Sequence, residues 1–357
     1  MKNIILIVGL IYLLSACANP GISSSPVDVT PTPTTPITDT PTATVTPTII
    51  PTVTPMAIPT TTPFPIGSHA RQHLEFLSVN IGGREASSIE EAVAANYIYS
   101  IFLSFGYEPR VQPFSSVIEG DDQEVTINSK NVIAVKQGIS AREIIVGAHY
   151  DSVIAGTGAD DNASGVAVLL EVAARVMDKE TPYTIRFIAF GSEEVEKIGS
   201  WHYASQMTED EIANTIVMIN LDSVIAGDYA YVYGDEGSDG VIRDWSLAWA
   251  AENGFNLITQ PGENEDYPAG TIGDWGDHVA FKSVGIPYTY FESTNWMLGD
   301  KNGFTQVDKT LGNDGKIIHT QYDDLAYIDA TFPGRVNERL RLYISVLYAI
   351  LTEFTDS

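Results

Sequence analysis

Cysteine is nearly absent from these 357 residues: there is one, Cys17. A lone thiol closes no disulfide within the chain, so a domain working outside the cytoplasm would rest on its core and on bound groups instead of covalent staples. Basic residues are also scarce, 19 Lys and Arg against 46 Asp and Glu, for a formal net charge of -27. That balance disfavours nucleic acid and anionic lipid surfaces as partners, and it leaves two explanations open, solubility or attraction of cationic ligands. No Gly-x-Ser-x-Gly elbow and no Walker-type phosphate loop occurs, which removes two common hydrolytic and nucleotide-binding chemistries. The apolar run Ile4 to Leu14 is too short to cross a bilayer as a helix.

That run follows Met1 and Lys2 and ends in Leu14-Ser15-Ala16-Cys17, the pattern of an export signal over residues 1–16. The stretch resembles a bacterial lipobox, which would make Cys17 the attachment point of a lipid anchor on the outer side of the membrane; an ordinary signal peptide cleaved at small residues is the other reading. Residues 17–66 are dominated by Pro and Thr, with almost no charge and no amphipathic period. They read as a tether that, at roughly 3.1 Å per residue in polyproline II, reaches at most about 150 Å. Dense Thr with Pro also permits O-glycosylation.

From 67 to 357 the texture changes to alternating helix and strand signals, expected to form one domain. Ser88 and Glu91 have the spacing of a capping box and predict a helix running to about Phe105. Strands are predicted at Glu124 to Lys136, Glu143 to His149, Tyr183 to Phe190, Thr215 to Leu221 and Ile286 to Phe291. Ala163 to Met177 reads as a buried helix, and Gly334 to Phe354 as a final amphipathic one. The expected fold class is therefore α/β, a layered domain with a mostly parallel or mixed central sheet flanked by helices.

Ligands of open α/β sheets gather at the carboxyl ends of strands, and that is where the metal-binding residue types fall. One strand delivers His149-Tyr150-Asp151, followed by a loop with Asp160-Asp161-Asn162; another ends in Glu193-Glu194, a third at Asp222, and His319 comes much later. Singly, each is ordinary: an Asp after a strand caps a turn, and a Glu pair decorates a surface. Together, two His, one Asp, one Glu and a further Asp able to bridge suit two zinc ions sharing a carboxylate and a water.

The order of these motifs resembles the co-catalytic di-zinc aminopeptidases of metallopeptidase family twenty-eight, from about Gln72 to Phe354. Carried over motif by motif, the resemblance implies one zinc held by His149 and Asp222, a second by Glu194 and His319, and Asp161 bridging. It implies Glu193 as general base and Asp151 as the residue that orients the His149 imidazole. It implies a zinc-exopeptidase fold, two Zn2+ per chain, and peptide or protein N-termini as substrates. His278, in Gly276-Asp277-His278, competes with His319 as a ligand. That motif, with Val284-Gly285-Ile286-Pro287 and Phe291-Glu292-Ser293-Thr294-Asn295-Trp296, is similar to the alkaline phosphatase isozyme conversion aminopeptidases. That subgroup acts on N-terminal residues of exported proteins, notably arginine. With the acidic balance it points to basic N-termini, for which Glu263, Glu265 and Asp266 are candidate acidic partners, a simply solvated loop being the other reading. Some relatives place a Tyr just before the last histidine; here that position is Ile318.

Two rivals share the fold. A glutaminyl cyclase would perform acyl transfer at one zinc and differs at the bridging position, where this chain has Asp160-Asp161-Asn162. A non-catalytic binding protein on the same fold usually lacks ligands, and all five are present here.

Overall fold

The computed structural model describes residues 64–119 and 123–356. The expected signal, Cys17 and nearly all of the expected tether lie outside the described residues. Eight strands form one mixed sheet: β1 (Arg110–Glu119), β2 (Glu124–Lys136), β3 (Ser140–His149), β4 (Tyr183–Phe190), β5 (Thr215–Leu221), β6 (Tyr229–Gly234), β7 (Leu257–Ile258) and β8 (Tyr288–Thr294). Their order across the sheet is β1-β2-β4-β3-β5-β8-β6-β7. The centre, β4-β3-β5-β8, is parallel. The β1-β2 hairpin joins it antiparallel, and β6 runs antiparallel to β8.

The central strands are apolar on both faces because helices cover both, which is why they read as continuous apolar runs. One face carries Val146, Ile185, Phe187, Val217 and Ile219 in a large core shared with helices α1 (Ser68–Glu75), α2 (Ile89–Ser104), α3 (Gly165–Val176) and, later in the chain, the last helix Arg335–Glu353. The other face presents Ile145, Ile188, Phe190 and Met218 to α4 (Ile198–Ala204), α5 (Glu209–Asn214) and the short helix His278–Lys282. Helix α3 is nearly enclosed, and its buried Glu171 accepts from Gly67 and Ala70 N–H (2.8 and 2.7 Å), serving the free donors at the start of α1.

Register then sets the site. Gly147 on β3 lies opposite Asn220 on β5, so two residues further along His149 and Asp222 stand level and on the same face. A Cβ at Gly147 would meet the Phe190 ring at 2.5 Å and the Met218 methyl at 2.8 Å, so glycine leaves room for these two side chains below the site.

The loop after β3 has no regular ladder of its own, and a buried cation organises it. Arg84 is completely buried and donates to the carbonyls of Tyr150 (2.7 Å), Leu77 (3.2 Å), Gly82 (2.8 Å), Thr157 (2.9 Å) and Gly158 (2.8 Å). Gly158 adopts φ +61, and a Cβ there would come within 2.8 Å of the Arg84 guanidinium. Arg84→Met should therefore strand several buried carbonyls at once and cost about 3 kcal/mol or more of folding stability, read as a lowered urea midpoint at unchanged m-value. A loss below about 1 kcal/mol would mean that water replaces the guanidinium.

Candidate active site

The carboxyl ends of β3, β4, β5 and β8 open into a cleft of about 220 Å³ that His149, Asp161, Glu193, Glu194, Asp222 and His319 all line. Asp161 stands at its centre. One of its oxygens is 3.1 Å from His149 Nε2 and the other 3.0 Å from His319 Nε2. On the His149 side Asp222 Oδ1 adds a third donor 3.5 Å from the same Nε2. On the His319 side Glu194 Oε2 does so at 3.1 Å. A tetrahedral zinc with bonds of about 2.0–2.2 Å holds its donors about 3.3 Å apart, and the four His-to-carboxylate distances match that spacing. The trio His149, Asp161 and Glu194, whose ligand atoms all lie within 4.8 Å of one another, straddles the two halves because Asp161 belongs to both.

The electrostatics say the same. Burial lifts Glu194 to about 7 and Glu193 well above the ordinary carboxylate range. Burial would likewise raise Asp161, but hydrogen bonds from the two imidazoles outweigh it and hold it below the usual range. His319 is pushed up to about 11 by Asp161 and Glu194. For His149 burial works downward, yet the carboxylates of Asp222, Glu193, Asp151 and Asp161 together raise it. One oxygen of Glu194 is buried without a partner. Packed carboxylates facing two imidazoles form a cation site by their chemistry.

The supports are long-range hydrogen bonds. Asp323 accepts the N–H of Asp160 (2.6 Å) and Asp161 (3.1 Å). Gln306 donates to Asp160 (2.8 Å) while its carbonyl accepts from Ile317 and Ile318 (3.0 and 2.9 Å). This fixes the turn on which His319 sits at φ +57, a left-handed conformation that His tolerates better than most residues. Asp222 is held by the Tyr290 hydroxyl at 2.8 Å.

Asp151, expected to orient His149, approaches Nδ1 only to 3.5 Å. Its closer bonds are to the backbone N–H of Glu193 (2.9 Å) and Glu194 (3.1 Å), so it sets the strand turn that carries both glutamates. Glu91 departs from the expected capping box. Ser88 does cap α2, but the Glu91 carboxylate turns away to Ser87 N (2.7 Å), Ser129 Oγ (2.6 Å) and Ser192 N (3.0 Å), reaching the residue before Glu193. His278 is not in the cleft. It is fully buried against Tyr288 and Tyr290, and burial drops it to about 3. The acidic loop is also elsewhere: Glu263, Glu265 and Asp266 are exposed, none lines the cleft, and Glu263 pairs with Lys301. Lying on a surface turn, that loop gains more from water than from the cleft.

Sequence reasoning missed Arg84, Glu91, Gln306, Tyr290 and Glu292. Glu292 stood inside a quoted motif without a role, whereas nothing local marks Arg84.

Comparison with known proteins bears directly on this arrangement. The alkaline phosphatase isozyme conversion protein of Escherichia coli is 31% identical over 318 residues, 82% of this chain and 91% of that protein. The probable lipoprotein aminopeptidase LpqL of Mycobacterium tuberculosis is 32% identical over 38% of this chain and 27% of its own length. The structure of BSAP, a zinc aminopeptidase from Bacillus subtilis, superposes with a TM-score of 0.65 at 20% identity, covering 83% of this chain and 98% of that one, which establishes the fold. Residues 131–344 match the sequence profile of peptidase family M28, a span from β2 into the last helix that takes in every cleft residue named above, and the chain belongs to that family.

Proposed function

We propose that this chain is an exported, lipid-anchored aminopeptidase with two zinc ions, one held by His149 and Asp222, the other by Glu194 and His319, with Asp161 shared. The observation that carries the reading is the Asp161 carboxylate, whose two oxygens face two different imidazoles at 3.1 and 3.0 Å. A mononuclear site has no use for a carboxylate so divided, which favours the peptidase over the cyclase. Bound there, zinc supplies Lewis acidity towards a scissile carbonyl and lowers the pKa of a water towards about 7.

The protein's own groups do the rest. Glu193 lines the cleft with Oε2 4.0 Å from His149 Nε2, further off than the four donor contacts of the proposed ligands. From there it takes a proton from the attacking water and returns it to the leaving amine. Burial keeps its proton affinity high, which suits a shuttle working near neutral pH. Asp222, fixed by Tyr290, offers negative charge to the free α-ammonium group and so favours the end of a peptide. Trp275 and Phe304 wall the cleft beyond it.

Export and anchoring rest on residues 1–17, and a relative described as a probable lipoprotein aminopeptidase is consistent with them. One experiment tests the whole reading. Cells producing the protein or its Cys17→Ser variant are fractionated, and each fraction is assayed on aminoacyl-arylamides with and without a chelator, with metal content measured. Expected are two zinc ions per chain, chelator-sensitive activity in the membrane fraction, and its release to the soluble fraction in the variant. One zinc with pyroglutamate formation would overturn the mechanism, and identical fractionation of both forms would overturn the anchor.

A further inference from the structure

One acidic side chain in the cleft has no part in the scheme above. Glu292 lies on β8 two residues beyond Tyr290, so strand alternation puts both on one face, with Glu292 displaced by roughly 7 Å along the strand. Tyr290 touches Asp222, and Glu292 therefore stands one side-chain length away from the reacting centre. It lines the cleft yet is only 7% exposed. Its orientation is dictated: the Trp296 indole can only donate, and does so to the Tyr233 hydroxyl (2.7 Å), which leaves that hydroxyl to donate its own proton to Glu292 Oε2 (2.8 Å). Among the described residues nothing donates to Oε1, and no Lys, Arg or His pairs with the carboxylate.

Burial pushes the Glu292 carboxyl well above the ordinary carboxylate range, Tyr233 pulls against that, and the neighbouring charges of Asp222, Asp160 and Asp161 push the same way as burial. A carboxylate so placed lacks a cation. Two aromatic rings, Trp275 and Phe304, line the same cleft with centroids 5.3 Å apart, and such faces attract a guanidinium or ammonium group.

We propose that Glu292 is the specificity residue for the first side chain of the substrate, with its free oxygen receiving the cationic head of an N-terminal Lys or Arg whose stem lies along Trp275 and Phe304. The inference rests on the aminopeptidase reading and assigns its pocket. The competing role for a cleft carboxylate, holding the α-ammonium group, is separable because every substrate has that group.

The test compares kcat/KM for Lys-arylamide with its uncharged near-isostere norleucine-arylamide, in the unaltered metal-loaded protein and in Glu292→Gln. The unaltered protein should favour Lys by at least about tenfold, and the variant should lower that ratio by at least about tenfold. Calorimetric binding of lysinamide against norleucinamide should shift in parallel. An unaltered protein that prefers norleucine overturns the inference without any variant. So does an equal loss on both substrates in Glu292→Gln, which would make it an α-amine or structural residue. Cleavage of neither substrate by the unaltered protein would overturn the aminopeptidase reading and this pocket with it, a result unlike either of the others.

Discussion

Asp161→Ala should leave the chain with neither zinc ion and without measurable turnover. Each half of the site would drop from three protein donors to two, since the carboxylate at 3.1 Å from His149 and 3.0 Å from His319 is common to both. Zinc held by two protein ligands is labile, and two cations no longer screened from each other by a shared anion repel. The fold should survive, because the backbone N–H of Asp161 keeps its bond to Asp323 whatever its side chain. Metal analysis after dialysis against zinc-free buffer, with circular dichroism as the control, reads the result. A variant that holds one zinc tightly and still turns over would replace the shared site by a mononuclear one.

Glu193→Gln should separate metal binding from catalysis. The carboxylate sits next to the donors without being one of their close pairs, at 4.0 Å from His149 Nε2, and its backbone is fixed by Asp151. An isosteric amide keeps the shape and loses the proton acceptor, so both ions should remain while kcat falls by about 10²–10⁴-fold, the usual contribution of a positioned acid-base group. Activity within about tenfold of the unaltered enzyme, a barrier change of no more than about 1.4 kcal/mol, would remove Glu193 from the role.

Which parts of this molecule can be read from its sequence follows from how local their causes are. The bounds of β4 and β5 were legible because strands buried on both faces are continuous apolar runs, and those of β2 because its apolar second half, Val132 to Val135, follows a stretch of alternating polar and apolar residues. Several residues lining the cleft follow from the same strands, since β3 ends at His149 and β5 and β4 stop one and three residues before Asp222 and Glu193. β1 escaped because it is an edge strand with Pro113 in it and most of its side chains exposed, which weakens the alternation. β6, Tyr229–Gly234, is short and ends in glycine, with tyrosines that are signals of several structures at once. Glu91 was legible as a helix-capping residue and misread for that reason. Spacing shows what a side chain could reach within four residues, and Ser192 is a hundred residues away in the chain. Arg84 and Gln306 act through carbonyls and amides of distant loops, and backbone groups leave no trace in composition.

The separation along the chain of the groups around Asp161 also orders assembly. His149, Asp161 and Asp222 belong to neighbouring elements and can come together once β5 has paired with β3. His319 and Asp323 arrive nearly a hundred residues later, and closing a loop of that length is a late and entropically costly event. During synthesis, which delivers the N-terminal part first, the molecule thus passes through a stage with one half of its cleft built and the other missing. Its last forty residues bring both the second half of the cleft and the helix that completes the main core.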